Sequence, residues 1–174
     1  ERVLEPSAAW PGGPYRLASF GTRVVAALID SAIVLLIAVL LIAAVVFSAG
    51  LGGSIDSAAF WVLLVGGVFV VLLTCFFVVM LYAPLLMMRP GRHNGQSLGK
   101  QLLRIKVIRV NGQPMDFGWS FLREAIVKVL LFGTLANLTF GVAYLVDVLW
   151  PLWDAEHRAL HDFAVRTRVV STRS

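Results

Sequence analysis

Between residues 24 and 48 the chain reads VVAALIDSAIVLLIAVLLIAAVVFS, and Asp30 is the only charge in it. About 20 consecutive apolar residues suffice to cross a bilayer as a helix. This stretch therefore constrains the fold before anything else does: it is a membrane span holding one carboxylate. A charge inside such a helix costs roughly 2.5–3.5 kcal/mol even on insertion-based scales, so a retained one is a functional-site candidate. Arg23 stands seven residues before Asp30. Seven residues make two helical turns, so the two side chains share a face and are expected to pair.

The rest of the composition agrees. Hydrophobic residues make up 59% of 174, well above an ordinary globular mix, and the length suits one domain. The net charge of +5 does not point to nucleic acid, because the bases sit in loops beside apolar spans. It reads instead as positive-inside bias, with anionic lipid headgroups as the surface partner. Cys75, the only cysteine, lies in an apolar run. It excludes an intrachain disulfide and reads as a small packing residue. The first apolar run is too long and starts too late for a cleavable signal peptide.

Five parts follow along the chain. Residues 1–14 hold three prolines and two glycines and read as an irregular tail; residues 171–174 form a second one. Between them, 15–170 reads as a single membrane domain. Its first helix is expected over 15–49, with Tyr15, Arg16, Phe20 and Arg23 at the interface. Residues 50–57 form a Gly-rich turn with one acid, Asp56, and no base. A second span covers 58–88, with Trp61 and Tyr82 as belt anchors and Pro84 bending its end. Residues 89–117 are basic, carrying Arg89, Arg92, His93, Lys100, Arg104, Lys106 and Arg109. Within them RIKVIRV followed by Asn111-Gly112 predicts a strand entering a tight β-hairpin. That many bases mark the cytoplasmic side, so the first two spans are expected to form a hairpin with both ends inside and the acidic 50–57 turn outside.

Residues 118–132 carry Arg123, Glu124 and Lys128 on an otherwise apolar helix, with Glu124 and Lys128 spaced for an i,i+4 pair. This is an amphipathic helix for the interface. Residues 133–150 are apolar except for Asn137 and Asp147. A third full span would carry the C-terminus outside, yet the tail holds Arg158, Arg166, Arg168 and Arg173. The alternative is a re-entrant hairpin of two half-length helices folding back around Gly133–Thr139, which the charge distribution favours. The fold class is thus an all-α membrane protein: a two-span hairpin, a C-terminal amphipathic and re-entrant (or third spanning) segment, and a small cytoplasmic β-hairpin.

Three blocks carry a resemblance: FGTRVVAALID, GQSLGKQLLRIKVIRVNGQPMDFGWSFLRE and RALHDFAVRTRVV. Together they resemble the RDD family of bacterial membrane proteins, named for one arginine and two aspartates, over about residues 15–170. The resemblance implies that Arg23 is the arginine, Asp30 the first aspartate and Asp162 the second. Ser97 stands where the family usually has threonine, and Arg166 where a small residue is more typical. The family's function is poorly defined; transport of an unknown ligand has been suggested, so the resemblance implies a fold far more than an activity.

Each candidate has two readings. Asp30 is either a proton or cation carrier or a structural partner fixing helix packing. Asp147, a rival to Asp162 by burial, has the same choice; Trp150, Pro151 and Trp153 after it suggest a helix end. His157 and His161 at i,i+4 beside acids could hold zinc, but a cap or docking salt bridge is the commoner use of such a tail. NGQSLGKQ lacks the G-x4-G-K-[ST] spacing of a phosphate loop. Its glycines read as a tight turn, with Lys100 reaching a lipid phosphate or a carboxylate. The basic loop of Arg89, Arg92, Lys100, Arg104 and Lys106 is expected to contact lipid or a partner. Asn137-Leu138-Thr139 is a glycosylation triplet by letters only. No catalytic set is visible, so no enzyme, no cofactor and no metal are expected.

Two functions survive for a multi-pass protein of the bacterial plasma membrane with both termini cytoplasmic. It forms or assists a proton- or small-cation-linked transport path, using Arg23 and Asp30 with Asp147 or Asp162. Two or three spans cannot enclose a pathway alone, so this needs a homo-oligomer or a larger membrane complex. Otherwise it is a non-catalytic accessory subunit of such a complex. The first two spans offer only Asp30, Ser31, Ser48 and Thr74 as polar lining.

Overall fold

The computed structural model describes residues 3–4, 15–51, 53–154 and 157–172. The chain is mostly helical, with two long apolar helices, α1 (Phe20–Leu51) and α2 (Ala58–Met87). It divides into two compact units, residues 31–79 and residues 1–30 with 80–174.

The first unit holds the two candidate membrane spans. Its share of α1, residues 31–51, is about 31 Å long, and its share of α2, residues 58–79, about 33 Å, at 1.5 Å per residue. Both match a hydrocarbon core of ~30 Å. Leu36, Phe47, Phe69 and Phe77 are exposed, as the lipid-facing side chains of a span would be. The helices approach closely at Gly67, where a Cβ would lie 2.6 Å from Val45. The turn before α2 closes on itself: Ser57 Oγ donates to Ser54 O (2.7 Å) and accepts from Phe60 N–H (3.1 Å), capping the helix start.

The second unit is polar and built around Ala18, Ala26, Met87, Ile105, Val107, Met115 and Val169. After α2 come α3 (Leu98–Leu102), β3 (Ile105–Arg109) and α4 (Phe117–Phe121). α4 continues as a wide π-helical stretch over Leu122–Phe132 and returns to α-geometry in α5 (Gly133–Leu138). α6 (Val142–Leu149), α7 (Leu160–Ala164) and β4 (Thr167–Ser171) complete it. Short strands β1 (Val3–Leu4) and β2 (Tyr15–Arg16) pair with each other.

The expected helix over 15–49 therefore starts later, at Phe20. Thr22 N–H donates to Ser19 Oγ at 3.4 Å, while Leu17 bridges to Val170 and Ala18 N–H donates to Val169 O (3.0 Å). Of the predicted N-terminal tail, residues 1–2 and 5–14 lie outside the described residues, as do 173–174 of the C-terminal one.

The predicted β-hairpin at Asn111-Gly112 is not formed. β3 pairs antiparallel with β4, Val107 opposite Val169 and Lys106 opposite Val170. The chain does turn at Asn111, whose side-chain oxygen accepts from Gln113 N–H (3.2 Å). Pro114 then follows with no N–H to give a ladder, and Met115 is tied to Asn94 by two hydrogen bonds (2.7 and 2.8 Å). The better partner was the distant RTRVV segment, whose apolar residues complete the same core.

The reversal expected around Gly133–Thr139 lies at Thr139–Gly141 instead. Gly133 stays helical (φ −64), whereas Phe140 (φ 50) and Gly141 (φ 89) take left-handed conformations. The chain turns back there, so 118–150 is not one continuous helix. Trp150–Leu152 is a 3-10 turn, the helix end anticipated from Pro151.

Candidate functional site

Asp30 faces α3 from the first turns of α1. Its carboxylate accepts from Tyr82 Oη–H (2.9 Å), Ser97 Oγ–H (2.5 Å) and Gly99 N–H (2.8 Å). Gly99 is the only residue type that fits: a Cβ there would lie 2.2 Å from Ala26 O and 3.0 Å from Asp30 Cγ. Gly95 is constrained likewise, with φ +75 and Val107 O at 2.0 Å from the added Cβ. The GQSLGK block is thus a backbone clamp on α1. Asp30 holds it through Ser97 and Gly99, with Tyr82 of α2 as a third donor and no arginine.

Arg23 lies on the same face but about 10.5 Å farther along the axis, at 1.5 Å per residue. A shared face is not contact; direct pairs need i,i+3 or i,i+4 spacing. The expected Arg23–Asp30 pair is absent. Arg23 Nη2 donates instead to Asp162 Oδ2 at 3.0 Å, and Nη1 to His157 O.

Asp162 is the centre of the site. Beyond Arg23, it accepts from Arg123 Nη2 (2.5 Å) and Nε (3.0 Å), Thr167 Oγ1 (3.1 Å) and Ala159 N–H (3.3 Å). It is fully buried. Burial alone would raise its pKa, but the Arg123 guanidinium and, after it, that of Arg23 outweigh this and hold it far below the usual carboxylate range.

Arg123 also donates to Glu124 and to His161 Nε2 (3.1 Å). A guanidinium only donates, so Nε2 accepts and Nδ1 keeps the hydrogen it gives to Asp147 Oδ2 (2.8 Å). Asp147 also accepts from His161 N–H (2.9 Å). Glu124 takes Lys100 at 3.5 Å and, as the spacing predicted, Lys128 at 3.3 Å. Burial would raise the Glu124 pKa; Lys100, Lys128 and Arg123 together hold it well below its ordinary value. Lys100 reaches Ser97 Oγ (3.3 Å) and so joins this cluster to the Asp30 clamp.

Four cations (Arg23, Lys100, Arg123, Lys128) thus meet four carboxylates (Asp30, Glu124, Asp147, Asp162) in one chain of contacts. Buried charges persist only when paired and hydrogen-bonded, and here each carboxylate has at least two donors.

The four sequence candidates Arg23, Asp30, Asp147 and Asp162 all lie in this network. The basic loop does not behave as one surface. Lys100 turns inward to Glu124, and Arg89 donates to Leu86 O (2.7 Å) and Gln96 O (3.2 Å). Arg92 and Arg104 are exposed, and Lys106 is half-buried. His157 Nδ1 donates to Pro151 O (2.9 Å), so the two histidines serve different partners. Among the described residues no three His, Cys, Asp or Glu side chains converge as a metal site.

Arg123, Glu124, Ser97 and Tyr82 were not singled out as site residues. Adjacent opposite charges on an apolar helix were the available signal for the first two. Nothing local marks a serine or tyrosine as a partner of a carboxylate more than 50 residues away.

A model of the RDD family matches residues 17–166. Over 74 residues the chain is 35% identical to proline-rich antigen homologs of two Mycobacterium tuberculosis strains, CDC 1551 / Oshkosh and ATCC 25618 / H37Rv. The match covers 42% of this chain and 27% of each relative's length. No solved structure matches.

Proposed function

We propose, from the premise that this chain belongs to the RDD family of bacterial membrane proteins, that it is a non-catalytic accessory subunit. Its two spans anchor a charge-locked domain that packs against other membrane proteins. The observation that carries this reading is the saturation of the network. Asp30, Glu124, Asp147 and Asp162 are each held by fixed donors of this same chain. A carrier carboxylate needs to exchange its partner for cargo; these are committed to holding helices together. The spans themselves are almost wholly apolar and line no polar path.

Topology follows in the same reading. Leu17 bridges Val170, so the approach to α1 and the last strand share a side. The positive-inside bias makes that side the cytoplasm, in the bacterial plasma membrane, with exposed Arg92 and Arg104 near anionic headgroups.

One observation favours transport as a second reading. Tyr82, Asp30, Ser97, Lys100 and Glu124 form a continuous string with steps of 2.9, 2.5, 3.3 and 3.5 Å. Such a string could pass a proton within an oligomer.

Mild extraction from native membranes, with light scattering and mass spectrometry of the purified particle, separates the two. The accessory reading expects the same membrane partner at a fixed molar ratio in different detergents. A particle of this chain alone, active in cation-dependent flux once reconstituted, would replace it with the transport reading.

A further inference from the structure

Among the described residues of the polar unit, the helical hairpin of α5 and α6 carries an extended apolar surface. No residue from 129 to 146 is charged. Leu131, Leu138, Val142 and Leu145 are exposed, and Phe140 at the reversal is 99% exposed. Phe140 also has φ 50, a conformation unfavourable for a bulky residue. The turn thus places its largest side chain at the tip.

Several polar groups of the tip are closed internally. Thr139 Oγ1 donates to Leu135 O (2.7 Å) and accepts from Ala143 N–H (3.0 Å). Asn137 Nδ2 donates to Gly133 O (2.8 Å). Gly141 N–H reaches Ala136 O (2.7 Å) and Val142 N–H reaches Thr139 O (3.0 Å). In hydrocarbon each unsatisfied group is costly, so the closure of these groups suits a lipid setting.

Charge resumes at the foot of both arms. Lys128 pairs with Glu124 on one, and Asp147 with His161 on the other. Trp150 and Trp153, both exposed, follow the second foot, a side chain suited to the membrane–water boundary. The arm from Val129 to Leu138 is about 15 Å long, half of a ~30 Å core.

We infer that residues 129–146 form a half-depth wedge in the acyl chains of one leaflet, with Phe140 deepest. It enters and leaves on the same side and is a third membrane attachment that does not cross. The ligand is lipid hydrocarbon, and this holds whether the chain transports or assembles.

The test uses the full chain with Cys75→Ser and one cysteine at a time, carrying an environment-sensitive fluorophore, in phosphatidylcholine–phosphatidylglycerol vesicles. At Phe140→Cys, acyl-chain nitroxides should quench emission while iodide in the buffer does not. Leu138→Cys is a second tip position should Phe140→Cys fold poorly. Cysteines at Leu122 and Leu152 should react with an impermeant maleimide from the same side. Iodide quenching at the tip would overturn the inference by placing it in water. Insensitivity to both quenchers with cross-linking between copies would overturn it in favour of a homotypic contact. Labelling of Leu122→Cys and Leu152→Cys from opposite sides would overturn it in favour of a third span.

Discussion

Arg23 and Asp162 lie 139 residues apart in sequence and 3.0 Å apart in space. The contact ties the first helix to the helix before the last strand, and Arg123 grips the same carboxylate from the other side at 2.5 Å. Removing Asp162 therefore strands Arg23 and leaves Arg123 with Glu124 as its one carboxylate, whereas removing Arg23 leaves Asp162 with Arg123. Stranding a buried charge typically costs about 3–5 kcal/mol. Asp162→Ala should lower the melting temperature in detergent more than Arg23→Ala, and the double variant should lose less than the sum. A parallel cycle on Arg23 and Asp30 should be additive within about 0.5 kcal/mol, the behaviour of sites without contact. Coupling of Arg23 to Asp30 instead of Asp162 would contradict the geometry.

The clamp on α1 predicts a sharp contrast among glycines. Gly99→Ala and Gly95→Ala push a methyl to about 2 Å from a backbone oxygen. Backbone cannot yield as a flexible side chain does, so each should cost about 3 kcal/mol or more, beyond ordinary overpacking. Gly21→Ala, with nothing within 4 Å, should be neutral or slightly stabilising, since alanine is the better helix former by roughly 1 kcal/mol. Thermal melts of the three variants, monitored by circular dichroism, check this.

Single donors to Asp30 should matter less. Tyr82→Phe and Ser97→Ala each remove one hydrogen bond to a carboxylate, worth about 1.5–3 kcal/mol, and leave two others. Their combination should destabilise more than either alone, again read as a shift in melting temperature.

Acid should unlock the network. The folded-state pKa values of Asp162 and Glu124 are lowered. The folded state then binds fewer protons than the unfolded one, so stability rises with pH in this window. The contribution is complete above the unfolded carboxylate values of about 3.9 and 4.3 and erodes as pH falls below them. Melting temperatures measured from pH 7 down to 3 should fall steeply below about pH 4.5. Glu124→Gln should start less stable and show a shallower fall, because it has no proton to take up.

Much of this was legible in the sequence, and the boundary is physical. The two spans follow from the length of uninterrupted apolar runs, a local property. So does the Glu124–Lys128 pair, set by helical spacing. Asp30 and Arg23 stood out from the apolar run and its spacing, and the resemblance added Asp162, but their partners did not follow. Spacing placed Arg23 and Asp30 on one face without showing that 10.5 Å of axis is beyond reach. The β3–β4 pairing failed for a related reason. RIKVIRV carries a strand signal and Asn111-Gly112 a turn signal, yet the partner strand is chosen by burial of Val169 and Val170 against a core assembled from distant segments. Tertiary pairing overrode turn chemistry.

The central claim is that the buried charges lock the fold and do not carry cargo. Proteoliposomes of the purified chain, loaded with a pH-sensitive dye and given a sodium or potassium gradient, test it most directly. The account predicts no cation-dependent pH change above that of empty vesicles, and a lowered melting temperature as the only effect of Asp30→Asn. Sustained flux in the wild type, abolished by Asp30→Asn while the melting temperature is unchanged, would contradict it.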